Sequence, residues 1–255
     1  MAVGSLLDFF ENYQANGAQI AVRQSSGYRK ESWSYRRIAR EANRVAREFS
    51  VRGLAKGDAV LLWGENSAEW VAAFLACLIS GVVAVPIDQA STPEFAARIA
   101  SEVKAKLAFE SGGHGPAINI PSISLHSLSS AVARHEMSSY PSPVLSRQDT
   151  LEIIFTSGTT AEPRGVVLSH GNVLANIEPL QKEIQKYLKY ERFVHPVRFL
   201  NLLPLSHVFG QMLGIFIPPL LAGTVMFAES LKPAELIRAI RRERVSVLVA
   251  VTRFI

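Results

Sequence analysis

From Ser34 onward, helical periods alternate with short apolar runs, and this alternation leaves few architectures open to the chain. Ile38, Ala42, Val45, Ala46 and Phe49 recur at helical spacing with arginines on the opposite side, so Ser34 is expected to cap an amphipathic helix. Gly53 and the Lys56-Gly57-Asp58 turn end it, and Ala59 to Trp63 reads as a buried strand. Asn66 or Ser67 is expected to open the next helix, with a glycine C-cap before a strand from Val82 to Val85. Thr92-Pro93-Glu94 marks another helix start, with proline at the first helical position, and Lys106 to Phe109 follows as a short strand. Further strands are expected at 151–155, 166–168, 199–203, 225–228 and 245–251, with one helix from about Gly171 to Tyr190 and a last one opening at Pro233. The pattern predicts an α/β fold of mostly parallel sheets flanked by helices. Residues 111–150, rich in Ser, Gly, Pro and His, are the expected place for a crossing between subdomains.

Composition narrows the function classes. Hydrophobic residues make up 48% and charged residues 19%, enough for a sizeable core and unlike a disordered chain. The 27 Lys and Arg against 22 Asp and Glu give a formal charge of +5, but the basic residues are dispersed, which gives nucleic-acid binding no support. Cys77, the single cysteine, excludes an intramolecular disulfide and reads as a buried, inert thiol. The six histidines show no metal-ligand spacing, and no Ser/His/Asp set is apparent. Two apolar stretches, Trp70 to Ile87 and Leu200 to Ala228, are interrupted by Gly and Pro and read as interior rather than transmembrane. The opening residues have no basic leader, so a cytoplasmic setting is expected.

Chemistry concentrates between two apolar strands, in Thr156-Ser157-Gly158-Thr159-Thr160-Ala161-Glu162-Pro163-Arg164-Gly165. Glycines let backbone N–H groups approach a ligand, hydroxyls add neutral donors, and Arg164 adds a permanent charge whose fork suits phosphate. No Gly-Lys-Ser/Thr follows, so this is not the NTPase P-loop. Composition alone fits a phosphate cradle and an ordinary polar hairpin equally well.

Residues 154–166 closely resemble the signature loop of the adenylate-forming (AMP-dependent synthetase/ligase) superfamily, usually Tyr/Phe-Thr-Ser-Gly-Thr-Thr-Gly-x-Pro-Lys-Gly-Val. Leu203-Pro204-Leu205-Ser206-His207-Val208-Phe209-Gly210 resembles a second motif of that family. Weaker matches at Ser34-Tyr35, Gly57-Asp58-Ala59-Val60, Asn66 to Trp70 and Gly81 to Asp88 fall in the family's order. The wording from Ser206 to Gly214 is most similar to long-chain fatty acyl-CoA synthetases.

The resemblance implies a carboxylate attacking the α-phosphate of ATP to give an acyl-adenylate, which then passes its acyl group to coenzyme A. It implies that Thr156, Ser157, Gly158, Thr159, Thr160, Arg164 and Gly165 bind the nucleotide, with Mg²⁺ beside Thr160. Arg164 and His207 would be catalytic, and His207, Val208, Phe209 and Gly210 would shape the carboxylate pocket. His170 reads instead as a local helix-start residue. The expected substrate is a medium- to long-chain fatty acid, with Ile215, Phe216 and Ile217 on an apolar helix; peripheral membrane contact fits that substrate. Aryl acids, or transfer to a carrier protein, are the other acid-activating readings.

Ala161 stands where the family has glycine and Arg164 where it has lysine. Residues 1–255 correspond to part of the family's large N-terminal AMP-binding domain, without the small C-terminal domain or the aromatic-Gly-x-Thr-Glu segment. The chain alone is therefore expected to be inactive. A non-catalytic nucleotide-binding or assembly module is the alternative from a different class.

Overall fold

A computed structural model describes residues 5–26, 29–112, 118–156, 163–191, 196–228 and 230–250. Its elements run α1 (Leu7–Ala15), β1 (Ile20–Ser26), β2 (Arg29–Ser34), α2 (Tyr35–Val51), β3 (Ala59–Trp63), α3 (Ala68–Ser80), β4 (Val83–Ile87), α4 (Pro93–Glu102), β5 (Leu107–Glu110), β6 (Ser122–Ser124) and α5 (Leu128–Ala131). They continue with β7 (Thr150–Thr156), β8 (Arg164–Ser169), α6 (His170–Glu191), β9 (Arg198–Asn201), α7 (Val208–Gln211), β10 (Thr224–Phe227), α8 (Pro233–Glu243) and β11 (Val247–Val249).

Local rules account for the starts. Ser34 accepts from the Arg37 N–H, Ser67 from the Trp70 N–H and Thr92 from the Phe95 N–H, each satisfying a donor that a helix N-terminus leaves free. Of the two caps expected for α3, Ser67 is the one used. Gly81 closes α3 with φ of 71°, in the left-handed region, and a Cβ there would also meet Leu145 Cδ2 at 2.9 Å.

The described strands form two sheets. The six-stranded one has the order β6-β5-β3-β4-β7-β8, parallel except for the β7–β8 hairpin. The five-stranded one has the order β11-β9-β10-β1-β2, parallel except for β1–β2. The α/β fold with mostly parallel sheets is as the sequence predicts. Helix α3 is buried along its length and packs on α2, on β3 and β4 of one sheet and on β1 of the other. The stretch from Trp70 to Ile87 is thus an interior helix followed by an interior strand. No helix among the described residues is long and apolar enough to cross a membrane. Cys77 is fully buried, and burial pushes its thiol well above the usual range, as expected of an inert sulfur.

Three features depart from the expectations. Residues 1–33 carried no predicted element, yet they supply α1 and the β1–β2 hairpin, and β1 pairs in parallel with the distant β10 through Val22 and Val225. Residues 111–149 link strands of one sheet; the chain passes between sheets through α2 and α6. The apolar run from Val208 is a short α7 followed by a π-turn at Met212–Phe216, closed by the Ile217 N–H on the Met212 carbonyl, and a 3-10 turn at Pro218–Leu221, where the prolines have no N–H to continue a helix.

Candidate functional site

In parallel sheets, ligand clefts form beyond the carboxyl ends of the strands. Here those ends meet. Gly64 to Ser67 follow β3, Asp88 and Gln89 follow β4, Leu202 to Ser206 follow β9, and Ala228 follows β10. Members of all four segments line one cavity of about 440 Å³, within the usual range for a small-molecule site.

Side-chain amides fasten its walls. From β1, Gln24 accepts the Ala68 N–H at 2.7 Å and donates to Glu69 at 2.9 Å, tying the five-stranded sheet to the start of α3. Asn66 donates to the Leu203 carbonyl and accepts the Leu205 N–H, both at 2.8 Å. Buried Asn201 accepts the Leu203 N–H at 2.9 Å and donates to the Gly210 carbonyl at 3.2 Å. The segment from Leu203 to Gln211 is thereby fastened as a corner that leads from β9 into α7.

The cavity is lined by the carboxylates of Glu65, Glu69 and Asp88 and by His126, with no lysine or arginine among its lining residues. An anion entering it therefore needs a compensating cation. Ser206 lines the same cavity, and its buried hydroxyl has no partner among the described residues.

The predicted site residues distribute as follows. Thr156 ends β7, which runs parallel to β4, so it lies at the same sheet edge as Ile87 and the cavity. Ser157, Gly158, Thr159 and Thr160 lie outside the described residues. Arg164 opens β8 directly opposite Thr156, is exposed, and does not line the cavity. Gly165 pairs with Phe155, and a Cβ there would meet Ile153 Cγ2 at 2.9 Å and the Phe155 ring at 3.0 Å. Its local role is to let the hairpin's own side chains fold over the backbone.

His207 stands at the cavity rim, exposed, with Nε2 3.8 Å from the Asp88 carboxylate. Val208 and Phe209 expose apolar surface beside it. Gly210 is buried, and a Cβ would meet the Pro204 carbonyl oxygen at 2.1 Å, so this glycine closes the corner rather than lining the cavity. Ile215 and Phe216 are fully buried, with the Phe216 ring 5.3 Å from Phe9 and 6.0 Å from Phe74. They are core residues. His170 does begin α6; burial pushes its imidazole down to about 4.

Sequence reasoning gave no role to Gln24 or Glu152, and named Asn66, Asp88, Ser206 and Gln211 only inside motif matches or, for Asn66, as a helix-cap candidate. Glu152 is the most conspicuous, a carboxyl inside the apolar run Leu151 to Phe155. It is fully buried, accepts from the Gln211 amide at 2.8 Å, and is pushed up to about 7 by burial, with that hydrogen bond opposing.

Comparison with known proteins follows the same lines. The chain is 34% identical over 170 residues to the hybrid PKS-NRPS synthetase gkaA of Penicillium citrinum, covering 63% of this chain and 4% of that one. It is 31% identical over 206 residues to 4-hydroxyphenylalkanoate adenylyltransferase of Mycobacterium marinum, covering 74% and 31%. It is 30% identical over 158 residues to the fatty acid–[acyl-carrier-protein] ligase ScoC of Streptomyces coeruleorubidus, covering 59% and 30%. The chain spans less than a third of the length of each relative. In structure it matches ATP-bound MatB from Rhodopseudomonas palustris with a TM-score of 0.78 at 22% identity, over 96% of this chain and 50% of that one. The family model for AMP-binding enzymes matches residues 9–255, and the chain belongs to that family.

Proposed function

We propose that this chain is part of an enzyme that activates a carboxylic acid with ATP, forming an acyl-adenylate and releasing pyrophosphate. The observation that carries the reading is that Thr156 ends β7 at the same sheet edge as the end of β4, where Asp88, a cavity-lining residue, lies 3.8 Å from His207 of the corner after β9. ATP binding would fall to the hydroxyls and backbone of Thr156 to Thr160, with Arg164 supplying charge at the mouth of the hairpin. The unpartnered Ser206 hydroxyl would donate to the acid's carboxylate, and His207 would hold the reacting oxygens at the rim.

Mg²⁺ fits the carboxylate lining in kind, since Glu65 and Asp88 offer the hard oxygens it takes. No group of three such side chains converges among the described residues, so these would hold the ion only together with the phosphates. When bound, the ion would offset the negative charge that the cavity and the phosphates share.

For the acid, we favour a medium- to long-chain fatty acid and coenzyme A as acceptor. The wording from Ser206 to Gly214, the exposed apolar pair Val208 and Phe209, and two fatty-acid ligases among the relatives, one acting on a carrier protein and one on coenzyme A, support this. The core placement of Ile215 and Phe216 removes them from the argument. A cytoplasmic setting with peripheral membrane contact, and a role for residues 1–255 as part of the larger domain, belong to the same reading.

The test is product analysis with the full-length polypeptide, Mg-ATP and acids of increasing chain length, with coenzyme A or carrier protein as acceptor. AMP and a fatty acyl thioester of coenzyme A are expected, with turnover rising with chain length. ADP as product overturns the adenylation reading. Equal turnover of all acids, or preference for aromatic ones, overturns the fatty-acid reading.

A further inference from the structure

Inside the fold, one polar contact joins the two halves of the candidate site and has no role in the account above. Gln211, the last residue of α7, uses both amide hydrogens: one goes to the Leu205 carbonyl at 3.0 Å, the other to Glu152 Oε2 at 2.8 Å. Both side chains are fully buried. Glu152 lies on β7, four residues before Thr156 and opposite Ala84 of β4, so this contact links the strand entering the proposed phosphate loop to the corner bearing Ser206 and His207.

The remaining oxygens show how the contact is built. Glu152 Oε1 and Gln211 Oε1 are buried, and neither has a partner among the described residues. An ionised carboxylate and an amide carbonyl are both acceptors only, so neither can satisfy the other. One proton on Glu152 changes this, because a carboxylic acid can donate its O–H to an amide carbonyl while accepting the amide N–H. Such a pair leaves no orphaned oxygen and no bare buried charge.

We propose that Glu152 and Gln211 form a protonated acid–amide latch that holds the Ser206–His207 corner against the strand feeding the phosphate loop. Glu152 is then a positioning residue, acting on the reaction through Gln211 and the corner. The functional consequence rests on the adenylation reading above; the latch itself does not.

Three variants test it. Glu152→Gln keeps shape and offers an amide that can also both donate and accept. Glu152→Ala and Gln211→Met each remove the pair, the second with little change of volume. Hydrogen-exchange mass spectrometry over residues 203–211 reads the corner directly. Glu152→Ala and Gln211→Met are expected to speed exchange there by about tenfold, whereas Glu152→Gln stays near wild type. In acid-dependent ATP–pyrophosphate exchange by the full-length polypeptide, the first two are expected to lower kcat by about 10²-fold with the KM for ATP little changed, and Glu152→Gln to retain most activity.

Unchanged hydrogen exchange in Gln211→Met overturns the latch, as does a Glu152→Gln variant as impaired as Glu152→Ala. A loosened corner with undiminished kcat overturns the positioning role. Wild-type protein without pyrophosphate exchange overturns the adenylation reading instead, and the hydrogen-exchange result still decides the latch.

Discussion

Glu152 and His170 give the molecule opposite pH responses. The folded Glu152 carboxyl is raised from 4.5 to about 7, so it binds a proton more tightly folded than unfolded. Its contribution is fully present below pH 4.5 and is lost as pH rises to 7. The His170 imidazole is lowered from 6.5 to about 4, so its contribution is present above pH 6.5 and lost as pH falls to 4. Each slope is about 1.4 kcal/mol per pH unit, and the two largely cancel where they overlap. Urea unfolding of wild type and Glu152→Gln across pH 4 to 8 isolates the first. Relative to the variant, wild type is expected to lose stability between pH 4.5 and 7 and then level off; parallel profiles would mean that Glu152 ionises freely. Gly210 answers to geometry instead. Since a Cβ would press on the Pro204 carbonyl, Gly210→Ala is expected to cost about 1–3 kcal/mol of stability, read as a drop in thermal midpoint.

Among the elements, the corner from Leu203 to Gln211 depends most on single bonds. Asn66→Ala removes one accepted and one donated bond, and is expected to cost about 2 kcal/mol and to speed exchange at the Leu205 amide, which loses its acceptor. Faster exchange spread evenly over the domain would argue against local anchoring. These elements also show what was legible in the sequence. Ser34, Ser67, Gly81 and Thr92-Pro93 are local signals, and they placed α2, α3, β4 and α4 within a few residues. The β1–β2 hairpin was not legible. Its polar run Arg29 to Ser34 has little apolar periodicity, and its position depends on β10, far away in the chain. The loop motif and His207 could be proposed from the sequence, whereas the amide fasteners could not. Asn66, Asn201 and Gln211 look like ordinary polar residues until the fold brings each to a backbone group or, for Gln211, to Glu152.

At the scale of the molecule, two sheets share the layer formed by α2 and α3, and their carboxyl edges enclose one polar cavity. That arrangement would let the proposed nucleotide-binding hairpin on one sheet work against the proposed acid-binding corner on the other. The cavity's own carboxylates oppose an anionic ligand, so charge from Arg164 and a divalent ion is central to the proposed chemistry. The most direct measurement is carboxylate-dependent ATP–pyrophosphate exchange by the full-length polypeptide, comparing wild type with Arg164→Ala over a fatty-acid panel. Exchange that requires a fatty acid, and that falls by at least about tenfold in the variant, is the predicted result. Folded wild-type protein that exchanges no pyrophosphate with any acid would contradict the account and favour a nucleotide-binding module without catalysis.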